Sequence, residues 1–552
     1  MYKGYKTSAV LILIPLVLSA FTHLFNPGGF PCVNFDEAVG IRRAMHFLVG
    51  FGPQDPSSRF DHSQASSSSY DHPHFGQIFL AGMFKIIGYP SSLNPSSSIQ
   101  SIEMLYVVPR VLMGMLAVLD TFLIYKIVER RYNTKTGAFM ASTLFAVMPL
   151  TWLYRWILLD SILMPFVLSS ILFAVYLSKN NKDTTVSDDD NGNIGKKNGG
   201  IISTLAKNKQ IALIVISGIL LGLAIYTKVP AITVIPVVGF LIFTNTRKWK
   251  MLGWWFVPVI LIPLLWPTYA LSVGQFDEWL DGVLWQATER EVDSGEGSSH
   301  TISSELNTIF YMDPLLISLS LAGIIFAALR RNYFILLWVV PFFVLSFVIH
   351  WVYYFHFILL LPVFCIASAL LVIEVPNIFM KKNNVYKKII PIAAISAIGL
   401  FGMTTTVLLI VNNFSLPYFA VASFIVQHSN DNFVTKTDNG TDNAVDDTTI
   451  ISSPAFSWIF SYVFGNDHVL AARASQYLTT EKVLLVIDPN YNFIISGSEI
   501  EDKAQVASLL KLYNNTATIA SFQYADAILN DNPLKSNIRG CYLEQIHVRT
   551  NY

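Results

Sequence analysis

Two adjacent carboxylates follow the first apolar segment of the sequence. Asp36 and Glu37 stand in the segment Asn34-Phe35-Asp36-Glu37-Ala38, shortly after an apolar run that ends near residue 25. Carboxylates just outside a membrane helix can act as a general base, hold a divalent cation or simply face water. Asp36 and Glu37 are therefore the first candidates for chemistry, and a divalent metal is one open interpretation.

The same loop holds a second polar segment. It reads Tyr70-Asp71-His72-Pro73-His74-Phe75-Gly76-Gln77. Its carboxylate and histidines are predicted to meet the other charged groups of the outer loops in a single cavity. Asp71, His72 and His74 are accordingly candidate substrate-binding residues.

Charged residues recur at the predicted outer ends of later apolar segments. Arg155 and Asp160 flank one turn, and Lys228 lies in another turn of two to three residues. A lysine there is costly near hydrocarbon unless it is paired, binds an anion or extends its ammonium group to the interface. Phosphate binding and snorkelling both remain open for Lys228. A structural ion pair between Arg155 and Asp160 is the alternative to substrate binding by these two residues.

His356 and an acidic loop complete the set. His356 lies in the turn between two later apolar segments, where a histidine is more often an interfacial residue than a ligand. The acidic loop predicts the solvated face of an interfacial helix, with contact to metal or acceptor as the alternative. Its carboxylates are Asp277, Glu278, Asp281, Glu289 and Glu291.

The composition indicates that a bilayer is the main solvent of this chain. Of the 552 residues, 53% are hydrophobic and 13% are charged, about half the usual charged fraction of a soluble protein. Lys+Arg and Asp+Glu both number 37, so no net basic surface favours nucleic acid as a partner. The three cysteines show no metal-ligand spacing and leave one disulfide open.

Apolar runs long enough to cross a membrane predict an all-α polytopic membrane protein with about eleven transmembrane helices. With the N-terminus in the cytoplasm, every predicted inner loop is rich in Lys or Arg, as the positive-inside trend requires. This topology places the candidate residues on the extracytoplasmic face of a multi-pass protein of the cell membrane. The predicted spans are residues 8–25, 103–127, 136–152, 157–178, 210–226, 229–244, 251–270, 314–329, 333–349, 351–374 and 388–411.

The sequence after the last span predicts a different kind of unit. Residues 1–411 form the predicted transmembrane domain, and residues 412–552 a small extracytoplasmic α/β domain with strand-like runs at 448–452, 482–488 and 516–522. Sequons at Asn413, Asn439 and Asn514 fall in this tail and agree weakly with that topology. A polar stretch at 180–200 predicts a disordered cytoplasmic tether.

Over about residues 8–375 the sequence resembles the GT-C class of polyprenyl-phosphate-sugar-dependent glycosyltransferases. It is most similar to the protein O-mannosyltransferase and aminoarabinose-transferase-like superfamily. The short matching segments are specific by their order, spacing and side of the membrane. They are Phe35-Asp36-Glu37-Ala38, Asp71-His72-Pro73-His74-Phe75-Gly76-Gln77, Pro109-Arg110, Arg155 with Leu158-Leu159-Asp160-Ser161, and Gly222-Leu223-Ala224 followed by Lys228.

The resemblance implies a GT-C-like fold and an inverting transfer, metal-independent or metal-assisted. The implied donor is a dolichyl- or polyprenyl-phosphate monosaccharide, mannose-like by the family, and the acceptor is a hydroxyl of a protein, lipid or glycan. Asp36 would be the catalytic base and Glu37 its neighbour that orients the acceptor or a cation. Arg155 and Lys228 would hold the lipid phosphate.

The implied roles extend to the second polar segment, where His72 and His74 would line the site. Two departures from the family pattern occur there, since His74 replaces a proline and Gln77 a basic residue. The loop at 271–313 also lacks the β-trefoil-like insertion of eukaryotic protein O-mannosyltransferases, which weakens the case for a protein acceptor.

Two other functions compete with this hypothesis. A secondary transporter would use intramembrane Asp and Lys residues to carry ions, and it predicts mid-membrane charges and an internal repeat. An oligosaccharyltransferase-like enzyme of the same class would normally carry a Trp-Trp-Asp motif in its soluble domain. The tail has no such motif, because Trp254-Trp255 lies within a predicted span.

Overall fold

The structure of this chain is a computed structural model. It describes residues 2–52, 70–177, 196–284, 286, 301–349, 352–379, 386–433, 448–466, 469–470, 482–488, 510–522 and 546–551. Most of these residues are helical, and the strands all lie in the C-terminal quarter. The predicted fold class, a polytopic α-helical protein with a small α/β tail, is confirmed.

The described residues contain the following α-helices, in chain order. They are α1 Tyr2–Leu24, α2 Phe35–Leu48, α3 Phe75–Ile87, α4 Ile99–Tyr132, α5 Lys135–Val147, α6 Leu159–Tyr176, α7 Lys196–Thr227, α8 Ile235–Thr246, α9 Trp249–Leu261, α10 Leu265–Ser272, α11 Phe276–Leu284, α12 Ile302–Met312, α13 Pro314–Leu329, α14 Tyr333–Ile349, α15 Leu361–Phe379, α16 Tyr386–Ile410, α17 Leu416–Phe433 and α18 Pro454–Trp458. Short 3₁₀ segments occupy Pro149–Arg155, Val229–Val234 and Tyr354–Leu360.

Within the described residues, seven helical segments are long and apolar enough to cross a membrane, and up to nine if each bent pair counts as one span. The bent pairs are Lys135–Val147 with Pro149–Arg155, at 69°, and Ile302–Met312 with Pro314–Leu329, at 119°. Two further predicted spans correspond to the shorter apolar helices Leu11–Leu24 and Tyr333–Ile349. Each of the eleven predicted spans thus overlaps an apolar helix, and the protein is a multi-pass membrane protein.

Close contact between α7 and α9 fixes the position at which α7 ends. A Cβ on Gly218 would lie 2.4 Å from the Trp255 carbonyl oxygen, and one on Gly222 would lie 2.7 Å from that of Pro258. Glycines four residues apart let two membrane helices approach to backbone contact. Lys228 directly follows α7, and its position along the bundle is therefore fixed relative to α9.

The tail contains a five-stranded sheet in the order β2-β1-β3-β5-β4. The strands are β1 Thr449–Ile451, β2 Val469–Leu470, β3 Val483–Ile487, β4 Ala517–Phe522 and β5 Ile546–Thr550. β1 pairs in parallel with β2 and β3, whereas β5 is antiparallel to β3 and β4. The three predicted strand runs correspond to β1, β3 and β4.

Some predictions fall wholly or partly outside the described residues. The helical pattern at 498–513, the sequon at Asn439 and the acidic residues Glu289 and Glu291 are affected in this way. Most of the predicted tether at 180–200 also lies outside them, and α7 begins at Lys196. The prediction of disorder is wrong for the few residues of that stretch that belong to α7.

The tail packs against α2 and α4 through a shared apolar core. Ala38 and Ile41 of α2 lie in one buried cluster with Phe456 and Trp458 of α18. The Tyr106 hydroxyl of α4 donates to the Ala455 carbonyl oxygen at 2.8 Å and accepts a hydrogen bond from Trp458 Nε1 at 3.2 Å. The tail thereby packs on α2 and supports it.

Replacing Trp458 by alanine should destabilise this support. Trp458 is fully buried, and removal of a buried tryptophan side chain costs about 3–5 kcal/mol. We expect a clear fall in the melting temperature of the detergent-purified protein, measured by intrinsic fluorescence. Trp249→Ala is the control, since Trp249 is 73% exposed. An equal effect of both substitutions would contradict the docking role of Trp458.

Candidate active site

The first turn of α2 presents Asp36 at the end of the helix bundle, called the site end below. Asn34 caps α2. Its side-chain oxygen accepts a hydrogen bond from the backbone N–H of Asp36 at 2.8 Å, and its backbone N–H donates to Glu37 Oε2 at 3.0 Å. Asp36 itself is exposed. Among the described residues, no side chain forms a hydrogen bond or ion pair with the Asp36 carboxylate. This carboxylate is therefore available to a substrate.

Glu37 points the opposite way and forms a buried ion pair with Arg110 of α4. Arg110 Nε donates to Oε1 at 2.9 Å and Nη2 to Oε2 at 2.7 Å, and both side chains are fully buried. Oε1 also accepts from the Ile157 amide at 3.1 Å. Both Glu37 oxygens are thus occupied by protein donors, and the residue positions α2 rather than a substrate.

Arg110 also binds the segment that leads from α1 into α2. Its Nη1 donates to the carbonyl oxygens of Pro27, at 3.0 Å, and Pro31, at 2.7 Å, and its Nη2 donates to that of Cys32 at 3.0 Å. Every guanidinium nitrogen of Arg110 has an acceptor. A buried charge is tolerated when it is paired and fully hydrogen-bonded, and this one fixes the backbone that precedes Asp36.

Asp160 and Lys228 form a second buried ion pair at the same end of the bundle. Lys228 Nζ lies 2.5 Å from Asp160 Oδ2, and both residues are 4% exposed. Lys228 Nζ also lies 5.6 Å from the ring centre of Phe355. The alternative pair of Asp160 with Arg155 is not the one that the structure forms. Snorkelling is also wrong for Lys228, because its side chain is buried against an acid.

Arg155, five residues before Asp160 in the sequence, is buried, yet it is only partly hydrogen-bonded. Its Nη2 donates to the carbonyl oxygens of Phe25, at 2.5 Å, and Asn26, at 3.0 Å. Its Nε and Nη1 are buried and have no partner among the described residues. The guanidinium carbon stands 5.3 Å from the centre of the Phe30 ring. Arg155 therefore keeps donor capacity for an anion.

α3 begins directly beside these charges. A Cβ on Gly76 would lie 2.4 Å from a Leu159 methyl carbon and 2.9 Å from a Thr227 methyl carbon. Leu159 and Thr227 directly precede Asp160 and Lys228 in the sequence. Glycine at position 76 thus lets the segment that carries Asp71, His72 and His74 approach the ion pair.

One face of α2 joins Asp36 to that segment. Positions 36, 40, 43 and 47 recur at the spacing that lines one helix face. Arg43 binds Asp71 with both terminal nitrogens, at 2.9 and 3.0 Å, and the Phe47 ring centre is 6.4 Å from that of His74. Asp71 is therefore held by Arg43 on the same face of α2 as Asp36.

The candidate histidines differ in their surroundings. His74 is buried among aromatic rings, and burial together with the nearby Arg43 lowers its pKa to about 4, so it is neutral near pH 7. His72 is half-buried. His356 accepts the Tyr353 amide on Nδ1 at 3.3 Å, and its ring is 4.9 Å from that of Phe355. His356 therefore lies one residue from the Lys228 contact.

The described residues of the site end do not form a set of ligands for a divalent cation. In the part of the chain that the structure describes, no group of three or more His, Cys, Asp or Glu residues could hold a metal ion. Asp36 and Glu37 do not converge either, since Glu37 is bound to Arg110. The residues at the site end fit an anion better than they fit a metal.

The structure brings most of the predicted residues to one end of the bundle. Asp71, His74, Asp160, Lys228 and His356 are placed there by the contacts just described, and Asp36 lies in the first turn of α2 at the same end. Two residues of the site end received no role from the sequence alone. They are Arg110, the partner of Glu37, and Arg43, the partner of Asp71. A signal existed for Arg110, because an arginine within an apolar span requires a buried partner.

The comparisons with known proteins concern both sequence and fold. Residues 58–270 match the family model of the dolichyl-phosphate-mannose-protein mannosyltransferases (PMT). No protein of curated function matches the chain in sequence. The archaeal oligosaccharyltransferase AglB from Archaeoglobus fulgidus, solved with an inhibitory peptide and a dolichol-phosphate, has 12% identity and a TM-score of 0.52, covering 93% of this chain and 73% of its own.

Two further solved structures show the same kind of similarity. The Archaeoglobus fulgidus oligosaccharyltransferase tethered to an acceptor peptide has 12% identity and a TM-score of 0.51, with 94% of this chain and 73% of that chain covered. ArnT from Cupriavidus metallidurans in the apo state has 10% identity and a TM-score of 0.48, with 100% and 98% covered. Because the oligosaccharyltransferase structures are only 12% identical to this chain, their similarity concerns the fold alone.

Substituting Glu37 by glutamine should destabilise the protein strongly. It leaves the buried Arg110 charge without its counter-ion, and breaking a buried pair in this way costs about 3–5 kcal/mol. We expect a large drop in melting temperature and in the yield of monodisperse protein. Glu129→Gln is the matched control, since its pair with Lys126 is partly exposed and such pairs are worth about 0–1 kcal/mol. Equal stability of both variants would contradict this role of Glu37.

Proposed function

We propose that this chain, which has the fold of the GT-C glycosyltransferases and matches the PMT family model, transfers one monosaccharide from a polyprenyl-phosphate donor to a hydroxyl acceptor. Asp36 acts as the general base, and Lys228 and Arg155 bind the donor phosphate. The observation that carries the proposal is the pairing pattern at the site end. Within the described part of the chain, the Asp36 carboxylate is exposed and has no side-chain partner, and two nitrogens of Arg155 have no acceptor.

The reaction needs one base and one cation at opposite sides of the anomeric carbon. The acceptor oxygen attacks this carbon, Asp36 takes the hydroxyl proton, and the bond between the anomeric carbon and the phosphate oxygen breaks. The electron pair of that bond leaves with the polyprenyl phosphate. Positive charge from Arg155 and Lys228 stabilises the leaving phosphate. A single displacement of this kind inverts the anomeric configuration.

The family match supports a monosaccharide donor rather than an oligosaccharide donor. The matched model is named for dolichyl-phosphate mannose, so mannose is the expected sugar. An oligosaccharyltransferase would normally carry a Trp-Trp-Asp motif, and Trp458 is the tail's one tryptophan. The acceptor is the hydroxyl of a protein, lipid or glycan.

The proposed site faces the extracytoplasmic side of the cell membrane, together with the tail. The distribution of Lys and Arg among the predicted loops supports this orientation. Cys32, which adjoins the site end, is disulfide-bonded, and disulfides persist mainly in oxidising compartments. A lipid-linked donor is reached from within the bilayer, which agrees with a site at the ends of membrane helices.

The transporter alternative requires charged groups along a path through the bundle. Asp160 lies in the first turn of α6 and Lys228 directly after α7, so this pair stands at helix ends. Asp120 is a buried carboxylate within α4. Ion-coupled transport is therefore the outcome to consider if no donor is consumed.

Replacing Asp36 by asparagine should abolish transfer while leaving the fold and donor binding intact. Asparagine keeps the side-chain shape but cannot accept the proton, and loss of a general base costs about 10²–10⁴-fold in rate. The measurement is release of polyprenyl phosphate from a panel of radiolabelled polyprenyl-phosphate sugars by purified protein in nanodiscs. Glu129→Gln serves as control because Glu129 lies near the far end of α4 from Arg110 and pairs only with Lys126 among the described residues. Turnover at the wild-type rate in Asp36→Asn would remove this residue from the base role.

Lys228 can be tested without leaving Asp160 buried and unpaired. Lys228→Met alone should lower the melting temperature, and Lys228→Met with Asp160→Asn should restore much of it, since the pair is then neutral. The double variant should still raise the apparent KM for the donor by about tenfold or more, because a hydrogen bond to a charged group is lost. If the double variant recovers wild-type donor dependence, Lys228 serves only to neutralise Asp160.

A further inference from the structure

Aromatic side chains from three parts of the chain meet at the site end. Tyr70, His74, Trp266, Tyr269 and Trp279 form the aromatic cluster. The His74 ring centre is 5.6 Å from that of Tyr70, 6.4 Å from that of Trp266 and 5.9 Å from that of Tyr269. The Trp266 and Trp279 ring centres are 5.7 Å apart at an interplanar angle of 86°. The loop before α3 is thereby joined to α10 and α11.

Two hydrogen-bond donors inside this cluster have no acceptor in the part of the chain that the structure describes. The indole Nε1 atoms of Trp266 and Trp279 are buried, and neither has a partner among the described residues. Trp266 is only 6% exposed, so it does not act as a lipid-facing interfacial anchor. Burying an N–H group without an acceptor is costly. Two such groups on adjoining rings indicate that an acceptor-rich ligand completes the cluster.

The cluster lies next to the proposed phosphate site. Phe75, which follows His74, stacks against Tyr226 with ring centres 6.1 Å apart. Tyr226 precedes Lys228 by two residues, and both Phe75 and Tyr226 pack in one apolar group with Trp266. A group attached to a phosphate held by Lys228 would therefore lie within reach of the aromatic cluster.

We propose that the aromatic cluster is the subsite for the pyranose ring of the transferred sugar. The inference rests on the proposed function and deepens it, since it assigns the residues that recognise the sugar. A pyranose ring presents C–H faces that pack on aromatic rings, while its hydroxyl oxygens accept from indole N–H groups. Pockets that combine aromatic walls with a few placed polar groups are typical of small-molecule recognition.

The ion pair between Arg43 and Asp71 adds polar groups beside these rings. Asp71 directly follows Tyr70, whose hydroxyl donates to Gln275 Oε1 at 2.9 Å. Asp71 is held by Arg43 on the same helix face as Asp36. The sugar would thus lie between a cation that holds its phosphate and a base that activates the acceptor.

The test compares binding of two lipids to the full-length protein in nanodiscs. The probes are short-chain polyprenyl-phosphate mannose and the same polyprenyl phosphate without sugar, measured by isothermal titration calorimetry. Trp266→Phe and Trp279→Phe keep an aromatic ring and remove the N–H donor. Each should weaken binding of the mannose lipid by about 5- to 10-fold, the value of one hydrogen bond. Binding of the lipid without sugar should stay unchanged.

Trp255→Phe is the matched control. Trp255 also buries an indole N–H without a described partner, but it packs between helices at Gly218 and Gly239. It should affect neither lipid. Unchanged binding of the mannose lipid in both cluster variants, or equal loss for both lipids, would overturn the sugar subsite. If the wild-type protein binds neither lipid, the donor class of the proposed function fails instead.

Discussion

The buried ion pair between Glu37 and Arg110 joins the parts of the chain that build the site end. Its two side chains bind the segment between α1 and α2, the cap of α2 and the backbone that enters α6. Ser415, just before α17, donates to the same Pro31 carbonyl oxygen that Arg110 binds. Removing two charges from water is expensive, and here each charged atom regains a partner. The position of Asp36 is a consequence of this network.

Adjacent carboxylates that look equivalent in sequence have different fates because successive residues of a helix point about 100° apart. Glu37 faces α4 and both of its carboxylate oxygens bind protein donors, whereas Asp36 is exposed. The sequence could predict that this pair matters, since both follow a membrane helix. It could not decide which residue meets the substrate without knowing that Arg110 lies opposite Glu37. An arginine inside an apolar span was the available signal for that partner.

The hydropathy pattern predicts the spans well, because burial in lipid requires long apolar runs whatever the tertiary arrangement. Contacts between segments that are distant in the sequence are harder to predict from it. The sequence places Arg155 five residues before Asp160, but Asp160 pairs with Lys228, 68 positions away. Which helix ends are neighbours depends on packing such as the contact of Gly76 with Leu159 and Thr227. The docking of the tail on α2 also depends on tertiary packing, which no local pattern encodes.

The charges at the site end suggest how binding and chemistry are separated. Glu37 with Arg110, Asp160 with Lys228, and Asp71 with Arg43 are three pairs of zero net charge, and neutral His74 adds none. Two opposite charges then remain among these residues, since the structure describes no partner for two Arg155 nitrogens and none for the Asp36 carboxylate. In the proposed reaction, a phosphate donor would be attracted by the first and repelled by the second. The same pattern that would admit the anion would also keep its phosphate away from the proposed base, and the anomeric carbon would then lie between them.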